Sequence, residues 1–508
     1  MEISWYSKIL KKFRIWGHRI SPKLIFHPNE TSLRDYRRRD DEENLESQLP
    51  DGEVLSVAAI WAVEVYGPSE IDSLYKNLTR LGWGSPRIGG RHNAVDWINE
   101  QRMYGSVGNF NIGVVTRKGD NRFLFGERTF AILPQGVDYL RVYLYQLSAS
   151  LTCLRIGFVI KDGFDIGYRD AIDREYKTQR IAQRRGLIYY EGVVNSKIKE
   201  ISRIRVEYRK IATDWISKEL PGFFCGAQDG NRIPTAELIF TDKQFLFGKE
   251  DPNSESSNFN WRRIVINSAH DSEWTAEGFD ALQMVMDECA GNERYHTVIA
   301  LKTSSVSSEN MRHRGEPNKS SYVSLCEENF GGALVYMAGL AFLREIGRSI
   351  KVAREELKLN SKKSDVIRKL VVIENFISNS IGKPSIAAEL RNEANREGAF
   401  RHWCEKFTMI GWPPSEILSL PKVLAQRTVY FADKFIAEEA TAREQFEQLS
   451  SILNTRESIK TQARMEIWTL VAILLALASL FAAFLALAPI AEWPTKIIEF
   501  VSQIHTKI

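Results

Sequence analysis

The chain has 508 residues, of which 44% are hydrophobic and 26% charged, with a formal net charge of +4. That composition supports packed cores and excludes a disordered chain, and the charge is too mild to mark a nucleic-acid binder by itself. Cys153, Cys225, Cys289, Cys326 and Cys404 are scattered without a CxxC pair, which excludes a paired-cysteine metal site and suits a reducing cytosol.

Residues 1–50 read as a basic amphipathic helix and a charged linker. Tyr6, Ile9, Leu10, Phe13, Trp16 and Ile20 share a helical stripe, and Lys8, Lys11, Lys12, Arg14 and Arg19 stand off it. Such a helix suits an anionic membrane face. Its cations interrupt every apolar run, so it is not a secretory signal. The run RDYRRRDDEENLESQ then alternates blocks of charge, as a solvated linker does.

Residues 51–234 predict an α+β domain with a mixed, mostly antiparallel sheet. Val54 to Tyr66 is rich in β-branched and aromatic residues and predicts a buried strand. Helices follow from Pro68 to Leu81 and from Asn93 to Met103. Strands are expected over Asn111–Arg117, Arg122–Leu133, Tyr139–Leu147 and Thr152–Lys161. From Asp165 to Leu220 the pattern turns helical and basic, predicting a helical hairpin. Its cations mark a possible surface for anionic lipid or nucleic acid, but Asp170, Asp173, Glu175, Glu200 and Glu207 are interleaved with them.

Residues 235–321 read as a small α/β unit or as the completion of the first sheet. AELIF and QFLF are a strand pair. WRRIVIN (261–267) and HTVIALK (296–302) are strands around a helix, EGFDALQMVMDECAG. The polar stretch 303–321 is a loop.

Residues 322–464 predict an all-α region with helices at 322–357, 364–379 and 384–406. The final helix runs from about Leu424 onward without a break. Phe435, Ala442 and Leu449 recur every seventh residue, with Phe446 and Leu453 between, which suggests a short coiled-coil seam. Glu439 interrupts that seam, and packing against the chain's own body explains the pattern as well.

Residues 465–491 contain one transmembrane helix. Ile467 to Ala491 carries no charged side chain and exceeds the ~20 residues that span a hydrocarbon core. Trp468 and Trp493 bracket it as interfacial indoles. Ala472, Ala476, Ser479, Ala483 and Ala486 fall on one face, a small-residue stripe suited to helix association in lipid. Flanking cations Arg456, Lys460 and Arg464 place the body in the cytoplasm and residues 492–508, a short amphipathic tail, on the far side.

Catalytic motifs are sparse. There is no Walker A loop, GxSxG or HExxH, no metal site is read, and no cofactor can be named. The one enzymatic constellation is Ser268, His270 and Asp271 after the expected strand 261–267, with His296 opening the next strand. A nucleophile and base could be assembled there. The same residue types are ordinary in surface turns.

A cytosolic α/β body, a long helix and a late membrane helix together resemble the layout of CorA-type magnesium channels. Those channels join two transmembrane helices by a Gly-Met-Asn signature, whereas this chain shows one span and no Gly-Met-Asn. The resemblance implies an oligomeric channel. Against a wet pore, Ser479 is the only hydroxyl of the span beyond Thr469 at its edge. The residues themselves read first as a membrane-anchored cytosolic sensor, adaptor or scaffold that self-associates. A membrane-tethered hydrolase or nuclease using loop 268–271 is the second reading.

Overall fold

The computed structural model describes residues 5–20, 33, 37–83, 93–120, 129–182, 188–226, 232–247, 260–266, 273–286, 295–312, 314–359, 366–396, 400, 404, 407–409, 419–487, 496–500 and 502. Two compact units divide the chain. The first is Met1–Gly347 with Gly382–Ile436, and the second is Arg348–Ile381 with Ala437–Ile508.

In chain order the first unit opens with α1 (Trp5–Ile20), α2 (Asp40–Glu46), β1 (Ser56–Tyr66), α3 (Ile71–Arg80) and α4 (Ala94–Tyr104). Strands β2 (Gly108–Thr116), β3 (Thr129–Phe130), β4 (Val137–Ser148) and β5 (Leu151–Ile160) follow. Next come α5 (Tyr168–Asp173), β6 (Gln179–Ala182), β7 (Ile188–Glu191), α6 (Val193–Glu219), β8 (Thr235–Thr241) and α7 (Asn260–Ile266). Then follow β9 (Glu273–Ala276), β10 (Phe279–Met286), β11 (His296–Lys302), α8 (Ser308–Met311) and α9 (Lys319–Leu359). After α10 (Val366–Ser380) come α11 (Lys383–Ala394), β12 (Phe407–Met409) and α12 (Leu420–Leu487).

The fold is α+β, with one mixed ten-stranded sheet in the order β12-β9-β10-β11-β8-β1-β5-β4-β2-β3. Strands β8 and β11 run parallel, as do β2 and β3; the other pairs are antiparallel. Every residue of β5 is buried, as expected where both faces of a sheet are covered. On one face, Phe158 of β5 meets Trp215 of α6 edge-on. On the other, Trp61 of β1 meets Phe330 of α9 edge-on, with ring centroids 4.7 Å apart.

Several expectations need correction. As for the two readings of 235–321, β8 to β11 lie in the same sheet as β1 to β5. Residues 261–266 form helix α7 rather than a strand. Trp261, Ile264 and Val265 are buried there, a spacing that gives one helical face and overrides the β-branched composition. The expected helix over 277–291 is instead β10, paired with β9 across a turn in which Gly278 has φ +71°. QFLF is not a strand. The polar stretch 303–321 carries α8 and the start of α9. Helix α11 ends at Ala394, and Phe407–Met409 adds an edge strand that the pattern did not announce.

The helical hairpin over 165–220 is also corrected. Its first arm is the short α5 plus the β6–β7 ribbon, and only α6 is a long helix. Lys197, Arg205 and Arg209 are buried, Arg203 pairs with Glu200 and Glu207, and Lys199 pairs with Glu191.

Helix α9 is apolar enough to count as a span by composition, but 83% of its most apolar window is buried inside the protein. It is a core helix. In the second unit Ala442, Phe446 and Leu453 of α12 are buried, and Phe446 meets Phe376 of α10 edge-on. In the first unit Phe435 is buried. Leu449 is half-buried, and Glu439 is held by Arg443 one turn on.

Candidate functional site

The carboxyl ends of β5, β8 and β11 lie at the same edge of the sheet as the start of β1. There the loops leave an open groove of about 550 Å³, within the ~300–1,000 Å³ typical of small-molecule sites. Lys161, Asp162 and Asp165 follow β5, Asp242 follows β8, Thr303 and Ser304 follow β11, and Lys319 opens α9. Five of these groups are held in place. Thr303 Oγ1 donates to Asp242 Oδ1 over 3.0 Å, and Lys319 Nζ lies 3.3 Å from Asp162 Oδ1. Asp165 Oδ1 accepts from Tyr208 and from the Gly167 amide. Ammonium and carboxylate groups facing one groove can hold a small ligand bearing both charges. Among the described residues no cluster of three His, Cys, Asp or Glu could hold a metal ion.

His296 sits elsewhere. It opens β11 with its side chain 1% exposed. Its Nδ1 lies 2.8 Å from Thr235 Oγ1 on the parallel neighbour β8, and its Nε2 lies 3.8 Å from Glu237 Oε2. Glu237 also accepts from Tyr168 (2.7 Å) and from Arg205 Nε (2.7 Å). Burial alone would raise the Glu237 carboxyl, but Arg205, His296 and Tyr168 outweigh it and hold it down at about 2. Burial, helped by Arg209 and Arg205, outweighs Glu237 and holds the imidazole below its ordinary range. A neutral imidazole beside an ionised carboxylate, both enclosed, is a packing cluster that joins α5, α6, β8 and β11. Arg205 Nη2 also donates to the Val265 carbonyl of α7.

Ser268, His270 and Asp271 lie outside the described residues, as do Cys289 and Trp493. The segment before them is helix α7, so they do not follow a strand's carboxyl end. A small cavity of about 50 Å³ lies between β1, α9 and the start of α12, lined by Val63, Leu334, Met337, Ala341 and Leu424. It falls far below the ~300 Å³ of a small-molecule site.

The apolar part of α12 has the opposite character. Along it, Trp468, Ile473, Leu474, Leu477, Leu480, Phe481 and Phe484 are each more than half exposed. The span has a mean hydropathy of 2.6 over its most apolar window, none of which is buried. Ala472, Ala476, Ser479, Ala483 and Ala486 are exposed along it. Only contact with lipid or another helix removes such a surface from water. Beyond it, residues 496–500 are helical, with Ile498 and Phe500 exposed.

No family model matches the sequence, and no curated protein does. Among solved structures, the chain is similar to the complete CorA magnesium transporter from Methanocaldococcus jannaschii. Identity is 13%, over 56% of this chain and 90% of that one, with a TM-score of 0.24. A likeness at that score carries no argument about fold or function.

Proposed function

We propose that the chain is a membrane-anchored sensor or scaffold that self-associates through its span. The observation that supports this most is α12. One uninterrupted helix of 68 residues begins with buried Leu420 and Leu424 in the first unit and ends as a bare apolar segment. The groove at the carboxyl ends of β5, β8 and β11 gives the body a place to read a small polar ligand.

In this reading α12 crosses the bilayer once. The body stands in the cytoplasm beside Arg456, Lys460 and Arg464, and residues 492–508 lie on the far side. Ala472, Ala476, Ser479, Ala483 and Ala486 form the face along which spans meet, because small residues let backbones approach where hydrophobicity gives no drive. The test is the oligomeric state of the full chain against an Ala476→Leu/Ala483→Leu variant. Leucines on that face hold the backbones apart and lower the oligomer order. An unchanged oligomer removes the stripe from the reading.

A further inference from the structure

We infer that α1 is a second membrane contact, lying along an anionic lipid surface with its Phe13–Trp16–Ile20 face in the acyl boundary. This rests on the membrane reading of α12. Within α1, Phe13 is 69%, Trp16 60% and Ile20 66% exposed. The spacing of three and four residues puts these side chains on one face. The protein covers none of the three, although together they form the most apolar strip of the first unit's amino terminus.

The opposite face selects the partner. The segment WYSKILKKFRIWGHRI contains no acidic residue, and helical spacing sets its Lys and Arg positions off the Phe13–Trp16–Ile20 strip. Lys12 and Arg14 are exposed. An apolar strip backed by cations is the pattern that settles in a headgroup layer. Each cation near an anionic leaflet contributes about fivefold in the bound ratio. Gly17 inside the helix lowers its intrinsic stability. At 16 residues, close to the ~12–15 below which an isolated helix is marginal in water, α1 gains from a surface that holds it.

The basic stretch of α6 does not compete for this role. Lys197, Arg205 and Arg209 are buried, Lys199 pairs with Glu191, and Arg203 pairs with Glu200 and Glu207; acidic residues are interleaved with the cations along this helix, as they are not in α1.

Hydrogen exchange of the full chain in nanodiscs reads α1 and the span in one measurement. In phosphatidylserine-rich nanodiscs the amides of 5–20 exchange more slowly than in detergent. In phosphatidylcholine alone the slowing shrinks. Phe13→Ser/Trp16→Ser abolishes it, and Lys12→Gln lowers the bound ratio about fivefold. If 5–20 exchanges equally fast in anionic nanodiscs and in detergent while 467–487 stays protected, the proposal falls and the anchor stands. If 467–487 is unprotected in nanodiscs, the anchor reading falls, and slowing of 5–20 then decides α1 alone. Slowing that appears only when single-stranded RNA is added assigns the helix to nucleic acid and overturns the lipid reading.

Discussion

Arg155 Nη2 donates to Glu327 Oε1 over 3.0 Å, joining β5 to the core helix α9 where both side chains are 2% exposed or less. Glu327 also accepts from the Trp61 indole at 3.2 Å and from Arg141 on its other oxygen. One turn along α9, a Cβ on Gly331 would collide with the Arg155 guanidinium. The glycine is what admits the arginine to the helix surface. Glu327→Ala leaves two guanidinium groups without their shared carboxylate and destabilises the body by about 3–5 kcal/mol. Glu328→Ala, which breaks an exposed pair with Arg314, costs ~0–1 kcal/mol. Chemical denaturation of the two variants in detergent checks the contrast.

The cluster around Glu237 predicts acid sensitivity. An unfolded chain takes up a carboxyl proton near 4.5, while the folded carboxylate refuses it down to about 2. Glu237 therefore contributes stability that is present above 4.5 and lost as the pH falls toward 2. His296 acts in the same direction, because its folded form binds a proton less readily than the ordinary imidazole at 6.5. Glu237→Gln flattens the acid limb of a melting-temperature profile. It also lowers stability at neutral pH, since Arg205 loses its charged partner.

Glu64 has the opposite sign. It accepts from the Phe224 and Cys225 amides and from the Cys225 thiol, yet burial pushes its carboxyl up to about 7. The unfolded chain releases this proton near 4.5 and the folded chain holds it to about 7. Stability from this group is present below 4.5 and lost as the pH rises through 7. Glu64→Gln removes that loss, so the difference in melting temperature between variant and parent moves in the variant's favour from pH 4.5 to 7.

How far the sequence could be read depends on what covers each segment. Strand β1 is buried along nearly its whole length, and a continuous apolar, β-branched run announces that without ambiguity. Helix α12 was legible because an uncharged run of that length has few alternatives. The short segments failed. WRRIVI has strand composition, but Trp261, Ile264 and Val265 pack as a helix beside α6, with the Val265 carbonyl accepting from Arg205. FDALQMVM has helix formers, yet β11 offers it a full antiparallel ladder and wins over propensity. The groove was not legible, because Asp162, Asp242 and Lys319 lie far apart in sequence and meet only when β5, β8 and α9 come together. The burial of Arg205 was not legible, because no local pattern connects it to the Glu237 that holds it.

The central claim is that the exposed, small-faced span of α12 anchors the chain and assembles it. Its most direct test is the mass of the full-length protein in detergent and in nanodiscs, for the parent and for Ala476→Leu/Ala483→Leu. The account predicts a closed oligomer for the parent and a lower-order species for the variant, with both remaining in the membrane fraction. A parent protein that is monomeric in both media, or one that leaves the membrane on mild washing, would contradict it.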